Sequence, residues 1–395
     1  MSRSPASPLP AAAPARLPLE SLPPRALYVH LPFCARQCPY CDFPTARLDR
    51  ALEARYLEAL GRELEARSPA GFAPRTVFLG GGTPAELTSA GIARLVELLG
   101  PVCRGAEEVT LEANPRTLLP RKLRALVAGL GVNRVSLGAQ SFSPALLERL
   151  GRFHRPADVA RAVATAREAG VAAVSLDLIF AVPGQTEADL DADLAAAVAL
   201  APEHLSIYCL TIEPGTAFEA ARAAGALRPV PSAREARLYA RLRRSLRAAG
   251  FQHYEVSNFA RPGRRSRHNQ VYWRNHPYLG LGNGAASHLL GERTRNLRDP
   301  AAYVAALEAG RDPVSERERL EPAHKLRETA WLALRTSRGI VRRAFQRDTG
   351  RDPWEALGPE LAKLVGLGLL RRSADRAWLT GRGVTLADAV GVEVL

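Results

Sequence analysis

The chain has 395 residues, of which 47% are hydrophobic and 24% charged, with five cysteines and a formal net charge of +14. That apolar content supports a sizeable core and excludes wholesale disorder; five cysteines are too few for a disulfide scaffold, and no run of about 18 apolar residues is present to span a membrane. The positive charge invites a nucleic-acid reading, but only three of the 54 basic residues are lysine (Lys122, Lys325 and Lys363), a bias that points to coding preference as much as to a phosphate surface. Residues 1–25, rich in Pro, Ala and Ser without hydrophobic period, read as a disordered leader.

From Ala26 short apolar runs alternate with helical patterns. The runs are 26–30, 76–80, 108–113, 134–139, 174–180 and 204–210, and the helices are expected near 51–67, 88–100, 120–130, 156–170, 187–200 and 231–249. Near-continuous apolar strands are those buried on both faces, and repeated βα units imply a parallel sheet with right-handed crossovers. Six units fit an open doubly wound sheet or a partial barrel, and periodicity does not choose. Residues 251–310, rich in Asn, His, Gly, Tyr and Arg, form a capping segment without a long helix. Residues 311–395 turn helical and end in a helix, a short hairpin and a last helix, a winged-helix-like layout.

Cys34, Cys38 and Cys41 form C-x3-C-x2-C directly after the first strand. Zinc normally takes four protein ligands, and the only further candidate is the poorly spaced His30; three thiolates suit a [4Fe–4S] cluster with one iron left open. Cys103 and Cys209 are isolated and read as core residues. Gly80-Gly81-Gly82-Thr83-Pro84 ends the second strand, where glycines let a ligand approach the backbone. Glu112, Gln140 and Asp177 lie in or just after later strands, where a barrel places its active site, and a carboxylate inside the apolar run around Asp177 is costly unless paired or bound.

These features resemble the radical S-adenosylmethionine (SAM) superfamily, whose fold is a partial (β/α)6 barrel. The resemblance implies a [4Fe–4S] cluster on Cys34, Cys38 and Cys41, with SAM on the open iron. It implies SAM contacts from Tyr28, Gly81, Gly82, Thr83, Glu112, Gln140, Arg152 and Asp177. It also makes residues 26–250 the radical SAM core. The phrases YVHLPFC, GGGTP, LEANP, GVNRVSLGAQSF, HYEVSNFARPG, RHNQVYW and YLGLGNGAASH look like one branch, the oxygen-independent coproporphyrinogen III oxidases and the HemW-type heme chaperones. The oxidases carry a fourth cysteine two places after the third; here that place is Phe43, as in the chaperones. The chaperones carry H-N-x-x-Y-W, here His268 to Trp273. The departures are FAVPGQT at the fifth strand's exit and Asn283 in the GNGAASH segment.

The resemblance therefore implies heme as cargo, with His268 as axial ligand and Tyr272 and Trp273 stacked on the porphyrin, and hemoproteins as acceptors, among them respiratory and membrane-associated ones. An electron donor for the cluster, a homodimer and a cytoplasmic location with a peripheral place at the membrane complete the expectation. The alternatives are coproporphyrinogen III oxidase and a nucleic-acid-modifying radical enzyme. The charge itself is local: twelve arginines face only Glu235 and Glu255 between Arg222 and Arg267. The first eight read as a solvated helix face, while Arg261, Arg264, Arg265 and Arg267 are expected to meet heme propionates, an acidic acceptor or anionic lipid.

Overall fold

The computed structural model describes residues 16–395. The six expected strands form: β1 (Ala26–Leu31), β2 (Thr76–Gly81), β3 (Glu108–Ala113), β4 (Arg134–Gln140), β5 (Ala173–Phe180) and β6 (His204–Cys209). They lie side by side in chain order and all parallel. Their cores (Val77, Leu79, Leu111, Val135, Leu176) are fully buried because helices cover the outer face. The crossovers are α1 (Arg50–Arg67), α2 (Ser89–Cys103), α3 (Pro120–Leu130), α4 (Pro144–Arg149), α5 (Pro156–Glu168), α6 (Glu187–Ala199), α7 (Ala217–Ala223) and α8 (Ser232–Ala248). Local chemistry sets their starts. Asp49, Thr88 and Thr186 accept backbone N–H groups at the first turns of α1, α2 and α6, and proline opens α3, α4 and α5. The sheet curls, so that residues from β2 to β6 line one cavity, which makes it the partial barrel rather than a flat doubly wound sheet.

Residues 251–310 do more than cap this barrel. β7 (Gln252–His253) and β8 (Asn258–Ala260) extend the sheet antiparallel beyond β6, and β9 (Leu279–Leu281) pairs parallel with β1 at the opposite edge. Strands of two or three residues leave no periodic signal, which is why the sequence shows only a cap. Between β8 and β9 runs a short helix, α9 (Arg267–Trp273). The boundary expected at 310–311 falls inside a small antiparallel sheet, β10 (Ala286–Leu289), β11 (Glu292–Asn296) and β12 (Val314–Arg319), which α10 (Pro300–Glu308) interrupts.

The C-terminal unit has α11 (Pro322–Leu334), β13 (Ile340–Val341), α12 (Arg342–Thr349), α13 (Pro353–Ala356), α14 (Gly358–Gly366), the hairpin β14 (Leu370–Arg372) and β15 (Arg376–Leu379), α15 (Gly381–Thr385) and α16 (Ala387–Val394). A strand, helices and a hairpin whose three strands form one sheet match the winged-helix-like expectation. The disordered-leader expectation needs correction. Residues 1–15 lie outside the described residues, but Pro18–Ser21 form a 3-10 turn. Leu17 and Leu19 are buried in the C-terminal core with Leu334, Phe345 and Leu361, and Glu20 accepts the Leu17 N–H. Two leucines among prolines are too short a pattern to declare themselves.

Candidate functional site: the cysteine loop and its cavity

The loop after β1 is pinched at its base. Phe33 bridges to Ala46, the Cys34 N–H donates to the Ala46 carbonyl (2.9 Å), and the Ala46 N–H donates to Pro32 (2.9 Å). Its outer turn is held by the Phe218 N–H on the Pro39 carbonyl (2.9 Å) and by Arg298 on the Asp42 carbonyl (2.6 Å). Its inner arm rests on two buried side chains. His30 reaches the Pro44 carbonyl (3.1 Å) through Nε2 and the Tyr28 hydroxyl (3.0 Å) through Nδ1. With both ring nitrogens engaged and burial pushing its pKa down to about 4, His30 is a brace and not a fourth ligand. Asn283 donates to the Pro44 and Arg298 carbonyls (3.1 and 2.8 Å), while its Oδ1 meets the Tyr56 hydroxyl (2.9 Å). The sequence marked Asn283 only as a departure; as a fully buried amide it ties β9, α1 and the cysteine loop together.

Cys34, Cys38 and Cys41 line one cavity of about 470 Å³ with Gly81, Gly82, Thr83, Glu112, Gln140, Arg152 and Asp177. Seven of the eight expected SAM residues are thus brought together with the three thiols. The eighth, Tyr28, is absent from the lining and stands behind it, against His30 and Phe78. Ser136, Gly138 and Tyr208 also line the cavity and went unnoticed, since small or single polar residues in a strand carry no pattern.

The glycine run answers to the protein as well as to any ligand. A side chain at Gly80 would meet the Glu112 carboxylate (2.6 Å), one at Gly81 would enter the His30 ring, and one at Gly82 would meet the Leu31 carbonyl (2.6 Å). Gly81 also holds φ +97°, a conformation reserved for glycine, and its N–H donates to Glu112 (3.0 Å). Gln140 adopts φ +63° at an irregularity in the β4–β5 register, a strain of about 1–3 kcal/mol of the kind kept at ligand sites.

Three charges set the field. Arg152, expected among the SAM contacts, lies inside the barrel: it donates to the Gly138 carbonyl (2.9 Å) and to Cys38 Sγ (3.4 Å), and among the described residues its Nε is buried without a partner. Burial, with repulsion from Asp177, raises Glu112 to about 7. Asp177 is raised by burial too, though Ser136 donates to both its oxygens (2.9 and 3.1 Å). Burial also lifts the Cys34 thiol and pushes Cys41 up to about 11, so these sulfurs need a metal to become thiolates. The donor set fits a [4Fe–4S] cluster. Among the described residues no three His, Cys, Asp or Glu side chains close on a point one ion could occupy, and a cluster, whose thiolates bind different irons, does not require it.

The heme candidates fall elsewhere. His268 is 1% exposed beneath the barrel, with Nδ1 on the Thr76 hydroxyl (3.0 Å) and Nε2 on the Tyr272 hydroxyl (2.8 Å). Its ring packs on Phe78, and burial lowers its pKa to about 3. The axial-ligand expectation does not match this geometry, because neither nitrogen is free and the ring is sealed. Tyr272 packs edge-on against His268 and Tyr278, whereas Trp273 turns away beneath Arg335 with its Nε1 buried and, among the described residues, unpartnered. Consecutive helical residues diverge by about 100°, so the two rings share no face.

The family model for the radical SAM superfamily, whose members bind a [4Fe–4S] cluster and SAM, matches residues 28–197, and that for the HemN C-terminal domain matches 320–386. The heme chaperone HemW of Bacillus subtilis is 34% identical over 372 residues, 93% of this chain and 98% of that protein. That of Mycobacterium tuberculosis is 37% identical over 392 residues, 96% of this chain and 97% of that protein. The solved coproporphyrinogen III oxidase of Escherichia coli superposes with a TM-score of 0.81 at 23% identity, covering 95% of this chain and 92% of that one, which shows a shared fold. The chain belongs to the radical SAM superfamily and, within it, to the family of the heme chaperone HemW proteins.

Proposed function

We propose that the protein is a heme chaperone on a radical SAM scaffold, which takes up heme and hands it to acceptor hemoproteins. The observation that carries this reading is Phe43. It stands at the oxidases' fourth cysteine position, 57% exposed at the cavity, in a chain whose full-length relatives are named heme chaperones. Cys34, Cys38 and Cys41 would hold the cluster, with Arg152 compensating the charge of Cys38. Gly81, Gly82, Thr83, Gln140 and the carboxylates Glu112 and Asp177 would cradle the cationic SAM, an arrangement favoured in a partly closed, low-dielectric cavity. A reduced cluster held there would supply one-electron reducing power toward the bound SAM. Acceptors of the respiratory, membrane-associated kind, an electron donor, a cytoplasmic location and a homodimer remain part of the proposal; among the described residues no helix is long and apolar enough to cross a membrane.

The nucleic-acid reading finds little support in the C-terminal unit. Helix α14, which precedes the hairpin as a winged helix's reading helix does, exposes Ala362 and Val365, and its only basic residue, Lys363, is paired with Glu393 (2.5 Å). The arginines of α8 are partly absorbed too, with Arg241 bridging Asp191 and Glu187 of α6. The test is an anaerobic assay of the cluster-loaded protein with coproporphyrinogen, SAM and a reductant, beside a heme titration. Heme uptake without protoporphyrinogen supports the chaperone, and robust product formation refutes it.

A further inference from the structure

The opposite end of the barrel from the cysteine loop carries a second, larger opening. Arg25, Thr76 and Glu107 stand at the N-terminal ends of β1, β2 and β3, and with α9 and α12 they enclose a groove of about 1030 Å³. That is at or above the usual size of small-molecule sites, about 300–1,000 Å³. Its walls hold six arginines, Arg25, Arg75, Arg265, Arg267, Arg274 and Arg347, against two acids, Glu107 and Asp348. Both acids are already engaged: Glu107 pairs with Arg75 and Arg267, and Asp348 with Arg347. Among the described residues, Arg25, Arg265 and Arg274 have no carboxylate partner; Arg265 reaches the Gln252 amide oxygen (3.1 Å) and lies over the Tyr254 ring (5.6 Å to its centroid).

Apolar side chains line the same groove. Leu22, 39% exposed, and Pro23 come from the N-terminal segment, and Val271 and Pro277 from α9 and its exit. The N-terminal segment is fixed there because Leu17 and Leu19 are buried in the C-terminal core. Apolar side chains and uncompensated guanidinium groups lining one groove match an apolar ligand that carries carboxylates, as heme does.

We propose that this groove is the heme site, with the propionates on Arg25, Arg265 and Arg274 and the porphyrin against Leu22, Val271 and Pro277; the inference rests on the heme-chaperone reading and names where that cargo sits. Of the four arginines singled out in the sequence, this keeps Arg265, with Arg267 at the wall. Arg261 instead stacks on Phe251 (4.0 Å), and Arg264 is exposed outside the groove.

The test uses the full chain, cluster-loaded under anaerobic conditions, titrated by absorbance with ferric heme and with heme dimethyl ester, whose propionates are uncharged. Wild type is expected to bind heme stoichiometrically and the ester at least about ten-fold more weakly. Arg25→Gln/Arg265→Gln/Arg274→Gln should lose about ten-fold or more in heme affinity with the cluster absorbance intact, and Arg264→Gln should behave as wild type. Heme affinity unchanged in the triple variant, or ester bound as tightly as heme, overturns the groove while leaving heme binding standing. The ester comparison decides if the triple variant fails to fold. A wild type that takes up no heme overturns the chaperone reading and the groove together.

Discussion

The Arg152 guanidinium stands 3.4 Å from Cys38 Sγ and 2.9 Å from the Gly138 carbonyl, a cation carried from the turn after α4 to the cysteine loop. A charged donor to a thiolate contributes about 1.5–3 kcal/mol, and its loss would leave Cys38 uncompensated inside the barrel. Arg152→Gln should therefore hold less iron and sulfide after reconstitution and lose its cluster faster to a chelator. Arg152→Lys should be intermediate, because it keeps the charge but not the second donor. Cluster content equal to wild type in Arg152→Gln would show that the contact is incidental.

Glu112 gives the site a pH dependence. Its carboxyl ionises near 4.5 in an unfolded chain and near 7 when buried. The folded state keeps its proton longer, so this group lowers stability as pH rises from about 4.5 to 7, by up to about 3 kcal/mol. Glu112→Gln should flatten that slope in chemical denaturation. In the cluster-loaded protein SAM should bind more tightly above pH 7, where Glu112 is ionised, and this rise should vanish in the variant. A SAM affinity independent of pH in wild type would remove Glu112 from the cradle.

His268 acts as packing beneath the barrel. Its two ring hydrogen bonds and its contact with Phe78 predict a loss of about 2–4 kcal/mol in His268→Ala, read as a lower thermal midpoint. The absorbance of bound ferric heme should not change. Acid should act in the same direction as the mutation: between about pH 6.5 and 3 the unfolded chain takes up a proton that the buried ring refuses. A shifted heme spectrum in a well-folded His268→Ala protein would restore the histidine as ligand.

The N-terminal segment is part of the C-terminal core. Leu19 is fully buried, so Leu19→Ala should cost about 2–5 kcal/mol, and removal of residues 1–22 should cost more. Both should lower the melting point of the C-terminal unit while the cluster absorbance, which depends on the barrel, persists. Unchanged melting in both would mean that the segment is only laid on the surface.

The barrel was legible because strands buried on both faces and amphipathic crossovers leave strong periods, and six strands and their helices fell within a few residues of expectation. The cysteine loop and most of its cavity were legible because spaced thiols, a glycine run and a carboxylate in an apolar strand are chemically costly and therefore conspicuous. What escaped lies in contacts distant along the chain. Asn283 meets Pro44 across 239 residues, β9 closes on β1 with three residues, and Leu17 and Leu19 find a core more than 300 residues away. The reading of His268 failed for a related reason. Its neighbours Thr76 and Phe78 come from β2, and no local pattern reveals that both its nitrogens are taken.

Delivery of heme is measured as transfer to an acceptor. The cluster-loaded protein, charged with one equivalent of heme and freed of excess, is mixed anaerobically with an apo-hemoprotein while the acceptor's absorbance is followed. Most of the heme should transfer, faster than by spontaneous release into a non-protein heme scavenger. Heme that stays on the chain, or that reaches acceptor and scavenger at the same rate, would contradict delivery.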